Sequence, residues 1–208
     1  MNQTQTEIET LSSASTVYGL PVEIFTAAIR TREIARKSCS KYASPIRPGT
    51  DAYFEVIEAL AALSEPYGWT QTHQDLISRI VSPCGRYRIM ASQGTHQTGM
   101  PGLNPRSTRK RGAATANALS RQTVIVGTEE PSVIETIPIV LLMYRDPHLK
   151  VVRSELSLPI GLGSDGHMNE WSIRKILPEV DLTHPTPSND KVDKEAPIKI
   201  DVALKRQY

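Results

Sequence analysis

The stretch ETIPIVLLMYRDPHLKVVRSELSLPIGLGSDGHMNEWSIRKIL, residues 135–177, decides the fold class. An apolar run, residues 137–144, ends at the turn-forming residues 145–148. A second β-branched and apolar segment, residues 149–158, follows at once, so we expect two strands around a short turn. The apolar run is far shorter than the roughly 20 residues that a membrane helix needs. It therefore predicts a buried central strand.

The second segment alternates between two faces, as a strand does. One face carries Val152, Ser154, Leu156 and Leu158, and the other carries Val151, Arg153, Glu155 and Ser157. We therefore expect one face of the sheet to be core and the other to be at least partly wet. After Pro159 and a glycine-rich loop, residues 169–177 resume an extended pattern that ends at Pro178. The whole stretch predicts a three-stranded antiparallel meander.

Two helices are predicted upstream of this meander. Apolar residues recur at helical spacing from Pro21 to about Lys37, and Pro21 suits a first helical turn. The second helix is expected from Asp51 to about Leu63, with Thr50 as its N-cap. Its predicted buried stripe consists of Tyr53, Phe54, Ile57, Leu60 and Ala61.

The region between the helices and the meander is predicted to be extended. Residues 76–81 and 87–92 favour a β-hairpin, with a third helix over residues 72–80 as the alternative. Residues 122–126 predict a further strand. The expected fold class is α+β, in which the two N-terminal helices pack on an antiparallel sheet of about five strands.

Length and composition favour a single domain, because 208 residues with 39% hydrophobic content can bury one core. We expect this domain over residues 19–182, between a mobile tail at residues 1–18 and a linker with a strand-like tail at residues 183–208. The first residues resemble no secretion signal, so a cytoplasmic location without a membrane partner is expected. Cys39 and Cys84 are expected to be reduced thiols, and no Cys and His cluster predicts a metal or other cofactor.

Charge is distributed unevenly along the chain. The net charge is only +2, yet residues 76–128 contain eight Lys and Arg and no Asp or Glu. Residues 93–121 are rich in Gly, Pro, Ser and Thr, which predicts a long, pliable basic loop. Mobile cations suit phosphate backbones, because each contact releases condensed counterions. The expected nucleic-acid contacts are Arg86, Arg88, Arg106, Arg109, Lys110, Arg111 and Arg121, and the alternative is a solvated loop kept soluble by its charges.

Further cations lie on the first predicted helix. Arg30, Arg32, Arg36 and Lys37 occupy positions away from its apolar stripe. A solvated helix face is the simpler interpretation, and a phosphate-contacting face is the alternative. Trp69 and Tyr87 are candidates for stacking on bases, although core packing is the favoured role for both.

The C-terminal tail alternates with a period of two. Its apolar positions are Ile198, Ile200, Val202 and Leu204. Such a segment pairs with a sheet edge, either within its own domain or on a protein partner or second copy by β-augmentation.

Catalytic patterns are weak in this sequence. The segment Gly94–Gly99 lacks the Lys and Ser/Thr ending of a phosphate-binding P-loop. Asp146, Glu155 and a lysine, Lys150 or Lys175, offer the groups of a metal-dependent nuclease, but Arg153 is expected to neutralise Glu155. The sequence thus favours a non-enzymatic nucleic-acid-binding module working within a larger complex. An assembly protein that uses its C-terminal strand is the second hypothesis, and a nuclease is the third.

Overall fold

The computed structural model describes residues 15–74, 77–119, 122–126 and 132–183. The helices are α1 (Val22–Ser38), α2 (Arg47–Ser64), which continues into one 3₁₀ turn (Glu65–Tyr67), and α3 (Ala113–Leu119). The strands are β1 (Thr16–Val17), β2 (Leu20–Pro21), β3 (Thr70–Gln74), β4 (Ile77–Val81), β5 (Tyr87–Gln93), β6 (Gln122–Val126), β7 (Ser132–Asp146), β8 (Val151–Pro159), β9 (Trp171–Ile176) and β10 (Val180–Asp181).

The main sheet is mixed, with the strand order β10-β8-β7-β5-β4-β3, while β6 pairs with β7 and β9 pairs with β8. The α+β class is confirmed, as are the hairpin of β4 with β5 and the meander of β7, β8 and β9. The fully antiparallel sheet was a wrong prediction. Strand β5 runs parallel to β7, with Tyr87 opposite Ile137 and Gln93 opposite Met143. The helix considered over residues 72–80 is also wrong, because β3 and β4 form a hairpin there.

Helices α1 and α2 pack on one face of this sheet. Phe25 and Ile29 from α1 and Ile57 from α2 are fully buried or nearly so against Ile139 and Leu141 of β7. Trp69 belongs to the same core, as its favoured interpretation predicted. Burying each such large apolar side chain contributes roughly 1.5–3 kcal/mol. This apolar layer fixes the helices on the sheet.

The second helix differs from its prediction in its start and in its buried stripe. It begins at Arg47 rather than Asp51, and Ile46, not Thr50, is the N-cap residue. The Thr50 hydroxyl instead donates to the carbonyl oxygen of Ile46 within the first turn. The buried positions are Ala52, Val56, Ile57, Leu60 and Ser64, and Phe54 is 51% exposed. Phe54 lies two residues from both Ala52 and Val56 and three residues from Ile57, so its side chain lies at the edge of the buried face rather than within it.

The opposite face of the sheet was expected to be partly wet, and this expectation is wrong. In β8, Arg153, Glu155 and Ser157 are all buried. The segment that follows β5 covers them. Gly99 lies close to the backbone and side chain of Arg153, and the side chains of Ala118 and Leu119 from α3 pack with Val140 and Leu142. The period-two alternation was right, but both faces of β8 are interior.

Glu155 is the buried acceptor that holds this covering segment. One carboxylate oxygen accepts from the Gly99 amide at 2.8 Å and from Arg174 Nη2 at 2.5 Å. The other accepts from Ser157 Oγ at 2.6 Å and from Arg174 Nε at 2.9 Å. The same guanidinium also donates to the carbonyl oxygens of Met100 and Leu103. The expected neutralisation of Glu155 by Arg153 is wrong, because Arg153 pairs with Asp146 at 3.0 Å.

Replacing Glu155 with Gln is expected to destabilise the fold by about 3 kcal/mol, because it leaves the largely buried charge of Arg174 without its counter-ion. Urea unfolding measures the change. Asp165→Asn is the control, since it breaks an ion pair with Arg106 in which both side chains are about half exposed. Equal stability of the two variants would contradict the role given to Glu155.

The Glu155 carboxylate also makes the free energy of unfolding depend on pH. Burial acts to raise the pKa of Glu155, but hydrogen bonds from Arg174, Ser157 and the Gly99 amide outweigh burial and hold the pKa below its ordinary value. Its stabilisation is therefore present above the unfolded-state pKa of about 4.3 and is lost as the pH falls through the lower folded-state pKa. Between about pH 5 and pH 3, the unfolding free energy of the wild type should fall more steeply than that of Glu155→Gln. Parallel pH profiles would rule out this contribution.

Candidate functional site

A cleft of about 630 Å³ opens where β5 ends beside Met143 of β7. Its walls come from α1, from the first turns of α2, and from Thr108, Arg109 and Arg111 of the segment after β5. The volume lies within the roughly 300–1,000 Å³ of small-molecule sites. In open α/β sheets, ligands bind outside the carboxyl ends of parallel strands, and this cleft lies at the equivalent edge of the parallel pair.

Four arginines line the cleft. Arg32 and Arg36 lie four residues apart and therefore on one face of α1, while Arg109 and Arg111 approach from the segment after β5. Within the described part of the chain, the lining contains no Asp or Glu. Residues from two distant parts of the sequence thus build one cationic wall.

Contacts with Glu33 and Gln93 hold the Arg32 side chain in place. It is almost fully buried, bonds to the carboxylate of Glu33, and donates from Nη2 to Gln93 Oε1 at 2.9 Å. Burial lowers the pKa of Arg32, an effect that Glu33 opposes. The second oxygen of Glu33 accepts from Arg145 Nε at 3.1 Å. The four lining arginines and Arg145, set against one glutamate, leave four positive charges around the cleft.

The basic segment was expected to be pliable, but backbone hydrogen bonds fix it. The Thr95 amide donates to Arg106 O at 3.0 Å, and the Thr108 amide donates to Gln93 O at the same distance. The Arg111 amide donates to Gly166 O at 2.7 Å. These bonds tie residues 106–111 to β5 and to the loop before β9, so the backbone that carries the cations is fixed.

A buried polar cluster adds a second set of restraints to the same segment. The Ser107 amide donates to Met168 O at 2.9 Å, and the Met168 amide donates to Ser107 Oγ at 3.1 Å. His167 Nδ1 lies 2.7 Å from Ser107 O. The indole of Trp171 donates to Pro105 O at 2.8 Å. No isolated motif in the sequence marks these contacts, because they join residues about 60 positions apart.

Arg111 combines a fixed position with spare donors. Its Nη2 donates to Ser92 Oγ at 2.9 Å, whereas its buried Nε has no acceptor among the described residues. Burial lowers the pKa of its guanidinium, and Arg109 adds to this effect. An anion in the cleft would supply the compensating negative charge.

The remaining basic residues from the sequence prediction do not line the cleft. Arg106 pairs with Asp165 at 3.4 Å, and Lys110 is exposed. Arg86 is exposed in the turn before β5, and Arg88 lies five residues before the end of that strand, about 17 Å from Gln93. Burial, together with nearby Arg79, lowers the pKa of Arg88.

Two groups of predicted site residues lie outside the part of the chain that the structure describes. Arg121 lies outside the described residues. The partner-binding positions Ile198, Ile200, Val202 and Leu204 lie outside them as well. Their assignments remain predictions.

The α2 region contributes apolar side chains to the lining of the cleft. Ile46 and Phe54 of the α2 region line it and are 72% and 51% exposed. The Phe54 ring stands edge-on to Tyr53, with centroids 5.5 Å apart and an interplanar angle of 67°. Sequence reasoning missed this contribution because it assigned Phe54 to the buried stripe.

The carboxylates considered for a nuclease are engaged elsewhere. Asp146 pairs with Arg153, and Glu155 accepts from four donors. Among the described residues, no group of three or more His, Cys, Asp or Glu side chains is arranged to hold a metal ion.

Comparison with family models, with curated proteins and with solved structures finds no match for this chain. Among the described residues, no helix combines the length and the apolar character needed to cross a membrane.

Inorganic pyrophosphate is expected to raise the melting temperature at constant ionic strength, because it supplies anionic acceptors to the arginines of the cleft. At ten times its dissociation constant the stabilisation is about 1.4 kcal/mol, or several degrees. Differential scanning fluorimetry should show a smaller shift for Arg109→Ala than for Arg106→Ala. These arginines belong to the same segment, but only Arg109 lines the cleft. Equal shifts in the two variants would place the anion elsewhere.

Proposed function

We propose that this protein is a non-enzymatic nucleic-acid-binding module that holds phosphates in the arginine-lined cleft. The observation that carries the proposal is the convergence of Arg32, Arg36, Arg109 and Arg111 on one cavity whose described lining has no carboxylate. Arg32 is paired with Glu33, whereas Arg36, Arg109 and Arg111 have no ion-pair partner among the described residues, and three such charges at one site favour a ligand with more than one negative charge. A phosphodiester backbone supplies such charges at regular intervals.

The residue type supports phosphate as the ligand group. A guanidinium presents planar, forked donors that match phosphate oxygens in pairs. Arg32 and Arg111 are already oriented by hydrogen bonds to Gln93 and Ser92, so less side-chain freedom is lost when a ligand binds. Exposed Lys110 lies between Arg109 and Arg111 in sequence and extends the positive charge beyond the cleft.

The lining favours binding over catalysis. Its polar groups besides the arginines are hydroxyls and an amide, from Thr50, Tyr53, Ser92, Gln93 and Thr108. Among the described lining residues there is no His, Cys, Asp, Glu or Lys to serve as a general base or an activated nucleophile. The proposal therefore assigns no bond-making step to this site.

The volume of the cleft favours a second candidate, a free phosphorylated metabolite of roughly nucleotide size. The two candidates share their phosphate chemistry and differ in length. A mononucleotide occupies only the cleft, whereas a polynucleotide also reaches Lys110 outside it. Competition between an oligonucleotide and a mononucleotide distinguishes them.

Fluorescence anisotropy with a labelled 20-nucleotide single strand tests the proposal. The double variant Arg36→Ala with Arg109→Ala should weaken binding and reduce the slope of log K against log salt by about 1.4, from about 0.7 per lost phosphate contact. The matched control is Arg30→Ala with Arg86→Ala, which removes the same charge from exposed positions outside the cleft. Equal losses in both variants would reduce the effect to net charge and overturn the proposed site.

A further inference from the structure

Phe54 of α2 is much more exposed than Phe25, the aromatic side chain of α1. Phe25 is fully buried in the core, whereas Phe54 is about half exposed and lines the same cleft as the arginines. Ile46, which is 72% exposed, also lines the cleft. Leaving such apolar surface in water costs free energy, and a ligand that covers it would recover that free energy.

We propose that the cleft selects single-stranded over double-stranded nucleic acid by receiving one unpaired base against the ring of Phe54. This inference rests on the proposed function and specifies its ligand. The base lies on the apolar wall made by Phe54 and Ile46, and its flanking phosphates lie toward Arg36, Arg109 and Arg111.

The two walls match the two parts of a nucleotide. A base has a π-face that stacks on an aromatic ring, and the attached phosphate requires cations a few ångströms away. Base stacking on an aromatic side chain contributes about 1–3 kcal/mol and tolerates any base. Inorganic phosphate would satisfy the arginines but leave Phe54 and Ile46 in water. The combined lining therefore favours a nucleotide unit.

The dimensions of the cleft explain the preference for single strands. About 630 Å³ accommodates one nucleotide unit, not the cross-section of a duplex. A paired base would have to leave its stack to reach Phe54, at a cost of a few kcal/mol. An unpaired strand avoids that cost.

The orientation of Phe54 is restricted before a ligand arrives. Its edge-on contact with Tyr53 limits the ring, and the side chain projects from the middle of the 18-residue helix α2. A stacking platform on a rigid helix loses little conformational freedom on binding. Base recognition is thus a property of α2, while the two pairs of arginines come from α1 and from residues 109–111.

The test compares the affinities of three probes for the full chain: a ten-nucleotide single strand, the corresponding duplex, and a single strand of abasic residues with the same phosphates. Phe54→Ala should weaken binding of the normal single strand about tenfold, equivalent to 1.4 kcal/mol, and leave binding of the duplex and the abasic strand unchanged. Phe54→Trp should retain the affinity, because the larger ring still stacks. Tyr67→Ala is the control, since Tyr67 is 47% exposed but does not line the cleft.

The outcomes separate the two proposals. If Phe54→Ala leaves single-strand affinity unchanged, or lowers it equally for the abasic strand, the stacking inference is overturned while phosphate binding in the cleft stands. If the wild type binds all three probes equally well, selection for single strands is likewise overturned. If it binds none of them at low salt, the proposed function fails, and the inference fails with it.

Discussion

The parallel pairing of β5 with β7 is the constraint on which the rest of the structure depends. Antiparallel neighbours are joined by a tight turn, but a parallel neighbour requires the chain to return to the opposite end of the sheet. The chain between Gln93 and the start of β7 makes this return, and it contains the basic segment and α3. A long connection is thus required by topology. Its cations begin beside the end of β5, where the cleft opens.

Buried polar contacts turn this connection into a rigid wall. Glu155 and Arg174 hold its first part, at Gly99, Met100 and Leu103, and Ser107 ties its middle to His167 and Met168. Leaving these buried groups unpaired would cost about 1–3 kcal/mol each, so the connection and the sheet are stabilised together. A fixed segment also presents Arg109 and Arg111 to a ligand at a lower entropic cost than a mobile one. The buried hydrogen bonds on the second face of the sheet therefore stabilise the segment that carries Arg109 and Arg111 at the cleft.

Local patterns in the sequence were sufficient to predict part of this structure. The alternation in residues 149–158 and the apolar run before it predicted the meander of β7, β8 and β9, because strand periodicity is a local property. The absence of carboxylates in residues 76–128 pointed to the segment that carries Arg109 and Arg111. In both cases the signal lay within a few dozen residues.

The remaining features depend on contacts between distant residues. No local pattern distinguishes a parallel from an antiparallel neighbour for β5, and none assigns Arg174 rather than Arg153 to Glu155. The meeting of Arg32 and Arg36 with Arg109 and Arg111 follows from the packing of α1 on the sheet. Phe54 was misassigned because it lies at the edge of the buried face of α2, where apolar spacing alone does not show whether the ring faces the core or the cleft. Its exposure is nevertheless what gives the cleft an apolar wall.

Arginine side-chain NMR tests most directly whether the cleft is the phosphate site. On addition of a single-stranded oligonucleotide, the Nε–Hε resonances of Arg36, Arg109 and Arg111 should shift together and saturate at one ligand equivalent. Those of Arg30, Arg86 and Arg106, which do not line the cleft, should stay in place. Shifts confined to Arg30 and Arg86, with the cleft arginines unchanged, would contradict the assignment of this cavity as the binding site.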